Sequence, residues 1–257
     1  MTTPNTVGVE EKAIDVLLFG TDVGDLAPEI REHRNLNLVD SNPGVVVCYG
    51  GDGTLLSAEL EYPGIPKVPI LNSRIGHHCI RHAAGQVIAG LAEGSLAHTK
   101  YNKLKCAIHR ANVPEPERII TPLNEINVHK GRINSAVRYQ LWVDGDPYQD
   151  GIEILGDGFV ICTPFGSSAY FSKITRGIFT KGIGIAFKAT NQQINHLVIP
   201  TEGVYRVLIT RGPATLAFDS SQDYVPLDAG DELVVHKHPD GAEILTIGPV
   251  RRLSEPF

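Results

Sequence analysis

Gly50-Gly51-Asp52-Gly53-Thr54 brings together residue types that suit phosphate chemistry. It follows the apolar run Val45–Tyr49 and precedes Leu55–Tyr62, so the segment reads as strand, glycine turn and helix. Glycines at 50, 51 and 53 can take positive φ and let phosphate oxygens approach the backbone. With Thr54 they lead into a helix whose first turn offers free N–H groups and the positive end of its dipole. A carboxylate in such a turn repels phosphate unless it has a task of its own. Asp52 is therefore a candidate to accept the proton of an attacking hydroxyl or to help hold the magnesium ion that accompanies ATP. The structural alternative is a cap on the helix that begins near Thr54.

Two later stretches carry polar groups in ligand-binding patterns. Asn124 and Glu125, inside Leu123–His129, place an amide and a carboxyl side by side, able to hydrogen-bond a ribose or an adenine amino group, or to serve only as a strand-end pair. Asp157–Tyr170 runs from an apolar strand through Thr163, Pro164 and Gly166 toward a helix. Hydroxyls and free amides converge at such an edge, although a capped turn with Tyr170 in the core fits the same residues. His77, His78, Cys79 and His82 form a compact group in which His78 and His82 share a face if the stretch is helical. No Asp or Glu accompanies them, and a structural or substrate-facing role accounts for them without a metal.

Taken in order, these motifs resemble the NAD kinase family. The loop at 50–54 is shared with phosphofructokinases and with diacylglycerol and sphingosine kinases. Leu123–His129 resembles the Asn-Glu strand motif of NAD kinases, and Asp157–Tyr170 resembles their D-G-x-x-x-x-T-P-x-G-S-x-A-Y segment. Ala217–Gln222 looks like their F-D-G-Q hairpin, with Ser220-Ser221 in place of a single glycine. The likeness spans about residues 45 to 235.

The resemblance implies transfer of the γ-phosphoryl group of ATP, with magnesium or another divalent cation, to the 2′-hydroxyl of the adenosine ribose of NAD, with Asp52 as general base. It implies that Asp157, Thr163, Ala169 and Tyr170 line the dinucleotide pocket alongside Asn124 and Glu125, and that the enzyme is a homodimer or homotetramer. Two departures stand out. His77 occupies the place of an aromatic residue that lies beside the NAD site in the family, so either it stacks there or the pocket is rebuilt. Thr175-Arg176 stand where the family carries a Gly-Gly pair. These departures keep two other readings open: a kinase that uses the same loop on another nucleotide, a sugar or a lipid, and a dinucleotide-binding sensor with weak catalysis.

The elements that must position these residues divide in two. Ala13–Phe19, Pro28–Arg34, Val45–Tyr49, Thr54–Tyr62 and Val68–Leu71 give a βαβαβ pattern, followed by a helix over Gly85–Leu91. Apolar runs without polar alternation point to strands covered on both faces. From about Lys100 the signals are strand after strand: 104–109, 118–129, 139–143, 151–163, 184–188, 205–210, 215–218, 232–236 and 244–247. Turns at Asp144–Pro147 and Asp228–Asp231 separate some of them. The expected architecture is a Rossmann-like α/β domain over 1–100 and a β-rich, sandwich-like domain over 101–257, with the last strand able to return to the first domain.

Bulk properties bound the alternatives. At 257 residues and 42% hydrophobic content the chain can bury a substantial core. A net charge of −6 argues against a broad nucleic-acid or anionic-membrane surface. Met1–Glu11 lacks a basic segment followed by an apolar run, and no apolar stretch approaches the roughly 20 residues of a membrane span. Cys48, Cys79, Cys106 and Cys162 are widely spaced, which suits reduced thiols in a cytoplasmic protein.

Overall fold

The computed structural model describes residues 13–248, so the N-terminal stretch weighed above for a secretory pattern lies outside the described residues. The chain forms two compact units. Among the described residues, one contains 13–58, Ile65–Thr99 and 244–248; the other contains Glu59–Gly64 and Lys100–Glu243. Residues 59–64 thus belong to the second unit and residues 244–248 to the first.

The first unit is built on a six-stranded sheet in the order Leu36–Leu38, Ile14–Gly20, Val45–Gly50, Lys67–Leu71, Ala242–Thr246, Ala97–Tyr101. Its pairs along Ile14–Gly20, Val45–Gly50 and Lys67–Leu71 are parallel, and Ala242–Thr246 joins in parallel through Ile244 opposite Lys67. The buried stretch Val45–Cys48 explains the unbroken apolar run, since helices cover a parallel sheet. Val16, Val45, Val47, Val68 and Ile70 pack with Leu26 and Ile30 before the loop and with Val87, Ile88 and Leu91 of the helix Ala84–Ala92. Ala97–Tyr101, where a domain boundary was expected, is an edge strand with mostly exposed residues, which is why it lacks an apolar signal. Asn72–Ala83 contains no helix, so His78 and His82 do not share a helical face.

The second unit consists of two sheets with antiparallel pairing around a shared core. One contains seven strands, including Leu104–His109, Val137–Val143, Tyr205–Arg211 and Glu232–Lys237. The other contains six, in the order His196–Ile199, Ile183–Lys188, Gly158–Cys162, Glu125–Lys130, Ala214–Phe218, Val225–Leu227. Alternate residues of both sheets enter the core, among them Cys106, Tyr139, Val207, Ile126, Phe159 and Leu216. Gly158–Cys162 is buried along its whole length, because the helix Tyr170–Thr175 packs Phe171 against Val160 and Cys162.

Two runs read as single strands are each divided. Residues 118–129 form Arg118–Ile120 in one sheet and Glu125–Lys130 in the other. Residues 151–163 likewise divide into Ile154–Gly156 and Gly158–Cys162. Gly158 makes the second change of sheet at φ 126°, where a β-carbon would meet the Val128 carbonyl oxygen at 2.0 Å. All four cysteines are free and buried. Among the described residues no helix is long and apolar enough to cross a membrane.

Candidate phosphate loop and acceptor cavity

In the first unit the glycine loop leaves the strand Val45–Gly50 and enters the helix Asp52–Glu61. Gly50, Gly51 and Gly53 are absent from the positive-φ residues, which corrects the conformational reason given for them. Crowding is the reason for the first two. A β-carbon on Gly50 would lie 2.2 Å from Thr54 Oγ1 and 2.9 Å from its Cβ, and one on Gly51 would lie 2.8 Å from Ser73 Oγ. The Thr54 and Leu55 amides donate to the Gly51 carbonyl at 3.0 and 3.3 Å, and the Asn72 amide donates to the Gly50 carbonyl at 2.8 Å.

Asp52 does not cap this helix. Its Oδ2 accepts the His77 amide at 2.9 Å; its Oδ1 accepts the His78 amide at 2.9 Å and the Cys79 thiol at 3.6 Å. The carboxylate thus binds a loop 25 to 27 residues further along. His77 meets Asp52 through its backbone while its side chain is exposed. Among the described residues no group of three or more His, Cys, Asp or Glu is placed to hold a metal ion.

In the second unit a cavity of about 270 Å³ is lined by Glu125, Asn127, His129, Tyr170, Ala217, Phe218, Asp219, Ser221 and Tyr224. Two predicted residues, Glu125 and Tyr170, stand together in this lining. Tyr170 is 52% exposed at the first position of its helix, so its ring is not core. Glu125 is 5% exposed, and its Oε2 has no hydrogen-bond partner, a costly arrangement for a buried oxygen unless a ligand donates to it. Burial, and then the charge of Asp219, push the Glu125 carboxyl up to about 8, against the pull of Lys188. Asp219 is itself pushed up to about 6 by burial, with backbone donors opposing. Burial lowers Lys188 to about 7; its ammonium donates to the Val128 carbonyl at 2.8 Å and to Asn127 Oδ1.

Asp219 braces the cavity from within its lining, and Asn124, Asp157, Thr163 and Ala169 lie outside that lining. Asp219, with φ 43°, accepts the Leu123, Asn124 and Glu125 amides at 2.7, 2.8 and 3.1 Å. From the other side, the Thr163 hydroxyl donates to the Leu123 carbonyl at 2.7 Å and accepts the Gly166 amide at 3.1 Å. Gly166 lies so close that a β-carbon would meet the Asn124 carbonyl oxygen at 2.4 Å. Asn124 is buried with Oδ1 unpartnered, Asp157 pairs with Lys130 at 2.7 Å, and the Ala169 amide donates to the Gly166 carbonyl at 2.9 Å. Asn127, His129, Asp219, Ser221 and Tyr224 were not among the predicted site residues. Asn127 and His129 lie inside the Asn-Glu strand motif and Asp219 and Ser221 inside the hairpin motif, while Tyr224 lies in neither.

No protein-family model matches the chain. Among characterised proteins, it is 29% identical over 210 residues to the NAD kinase of Acidithiobacillus ferrooxidans, a match covering 77% of this chain and 68% of that one. It is 31% identical over 144 residues to the NAD kinase of Clostridium botulinum strain Eklund 17B, covering 53% of this chain and 47% of that one, so it spans about half the length of that relative. Among solved structures, the yeast NADH kinase complexed with NADH superposes with a TM-score of 0.79 at 15% identity, covering 93% of this chain and 84% of that one. The Archaeoglobus fulgidus NAD kinase in complex with ATP gives 0.71 at 19% identity, covering 90% and 92%. These structural likenesses speak for the fold: an α/β unit with a β-rich unit. With the ordered motifs beside them, the chain is similar to NAD kinases in sequence and shares the fold of the two solved kinases.

Proposed function

We propose that this chain transfers the γ-phosphoryl group of ATP to the 2′-hydroxyl of the adenosine ribose of NAD, giving NADP and ADP. The observation that carries the reading is Asp52, a carboxylate in the first turn of the phosphate-loop helix that caps nothing and is held by the His77 and His78 amides. In this reading it takes the hydroxyl proton as the ribose oxygen bonds to the γ-phosphorus and the bond to ADP breaks, ADP leaving with the electron pair. Magnesium enters with ATP as part of the substrate. Gly50, Gly51, Gly53 and Thr54 hold phosphate, and positioning supplies much of the rate.

Glu125 and Tyr170 hold the acceptor in the cavity of the second unit, the ring of Tyr170 by stacking and Glu125 by its unpartnered oxygen. Asn124, Asp157, Thr163 and Ala169 keep that cavity in shape. The same reading includes a cytoplasmic, homo-oligomeric enzyme, on the strength of the family resemblance. The test is an acceptor panel with ATP and magnesium that includes NAD, NADH, mononucleotides, sugars and lipid headgroups. NADP formation is expected, and robust phosphorylation of another acceptor with none of NAD would overturn the reading.

A further inference from the structure

The donors around Asp52 are unequal, and that inequality distinguishes its two oxygens. A carboxylate oxygen offers about two lone pairs. Oδ1 accepts two donors, the His78 amide at 2.9 Å and the Cys79 thiol at 3.6 Å, whereas Oδ2 accepts one, the His77 amide at 2.9 Å. We infer that Oδ2 is the oxygen of Asp52 that takes the hydroxyl proton, and that Cys79 is the positioning residue that occupies Oδ1 and fixes the direction of the free lone pair. This rests on the reading of Asp52 as general base.

The neighbourhood holds the thiol in place. The Leu71 amide donates to the Ile80 carbonyl at 2.9 Å, and the Ile80 amide to the Pro69 carbonyl at 2.7 Å, closing the neck of the loop beside Cys79. The Arg81 guanidinium reaches the Gly76 carbonyl at 3.5 Å, and Ser73 Oγ donates to the Ile75 carbonyl at 2.6 Å. At Gly76 a β-carbon would meet Cys79 Sγ at 3.3 Å and Leu71 Cδ1 at 2.5 Å, so a larger residue there would press on the thiol and displace the Leu71 side chain. Cys79 is 8% exposed. Burial, then the charge of Asp52 and its hydrogen bond, push the thiol up to about 12, so it stays protonated and remains a donor across the working pH range.

The experiment uses the full chain with ATP, magnesium and NAD, and compares Cys79→Ala, Cys79→Val and Cys79→Ser. Ala and Val remove the donor, Ala leaving a small gap and Val adding bulk, and Ser restores a donor. The expected result is a fall in kcat of about three- to tenfold for Ala and Val, with KM for ATP and NAD unchanged, and recovery of most of it in Ser. Unchanged kcat in folded Ala or Val variants, or a Ser variant no better than Ala, overturns the assignment. If the wild type phosphorylates a different acceptor, the function reading fails and the same split is read on that acceptor. If the wild type transfers phosphate to nothing, both fail.

Discussion

Asp52 in the first unit and Glu125 in the second each open a regular element, a helix in one case and a strand in the other, and each carries a carboxyl group. Their surroundings differ. Asp52 is partly exposed and meets two amides and a thiol, which set the direction of its lone pairs. Glu125 is buried beside Asp219, its Oε2 meets no donor, and its carboxyl is pushed up to about 8. Near neutral pH it therefore stands mainly as a carboxylic acid that can donate as well as accept. A carboxylate surrounded by donors is suited to take a proton in a fixed direction. A buried acid without donors is suited to bind a neutral polar group.

The comparison breaks first at Asp52. Asp52→Asn should lower turnover by about 10²–10⁴-fold at saturating substrates, while NAD binding measured by calorimetry survives. The substitution is not structurally silent, because the new amide group would face either the His77 or the His78 N–H, donor against donor. A modest fall in melting temperature should accompany it. Near-native turnover would remove Asp52 from the chemistry and leave it as an anchor for the loop.

The second unit is tested by Gly166→Ala, whose β-carbon would fall 2.4 Å from the Asn124 carbonyl oxygen and 2.6 Å from its carbon. Backbone has to move, which costs on the order of 1–3 kcal/mol, and it moves beside Glu125. The melting temperature should fall and NAD affinity should weaken, while the KM for ATP stays near wild type. A variant with native NAD affinity would show that this brace does not shape the acceptor cavity.

The smallest effect sharpens the contrast in protonation. Glu125 has a folded pKa raised above its unfolded value of 4.5, so the stability linked to it is fully present below about 4.5 and is lost as pH rises toward about 8. Asp219 acts in the same direction over a lower window, ending near 6. Glu125→Gln, which mimics the neutral acid, should match the wild type near pH 5. By pH 8 it should be the more stable of the two. Thermal melts at pH 5, 6, 7 and 8 measure the difference. A gap that does not grow with pH would mean that Glu125 is ionised in the folded protein.

Much of this molecule was legible along the chain. The strand-turn-helix at 45–62 and the apolar strands of the first unit follow from short-range pattern, because a parallel strand buried on both faces and a glycine turn are encoded within a few residues. The family motifs pointed to Glu125 and Tyr170, which share a cavity. The exposed strand Ala97–Tyr101 escaped because its side chains do not alternate in polarity, and the runs 118–129 and 151–163 concealed their breaks because Ile119, Ile120 and Ile126 in one and Leu155 and Phe159 in the other lie close to the break on either side.

The sequence by itself determined the loop, the order of the motifs and the change from α/β to β-rich chain, all of which depend on neighbours a few positions apart. Tertiary structure alone decided what each polar group meets. Asp52 was open to a helix cap or a catalytic base, and its actual donors come from residues 25 to 27 positions away. Asp219 braces Leu123–Glu125 across 94 to 96 positions, and Thr163 braces Leu123 across 40. The reason is physical. Hydrophobic periodicity is a local property, but which donor satisfies a partly buried carboxylate is settled only when distant segments pack together and the cost of leaving it unpaired comes due.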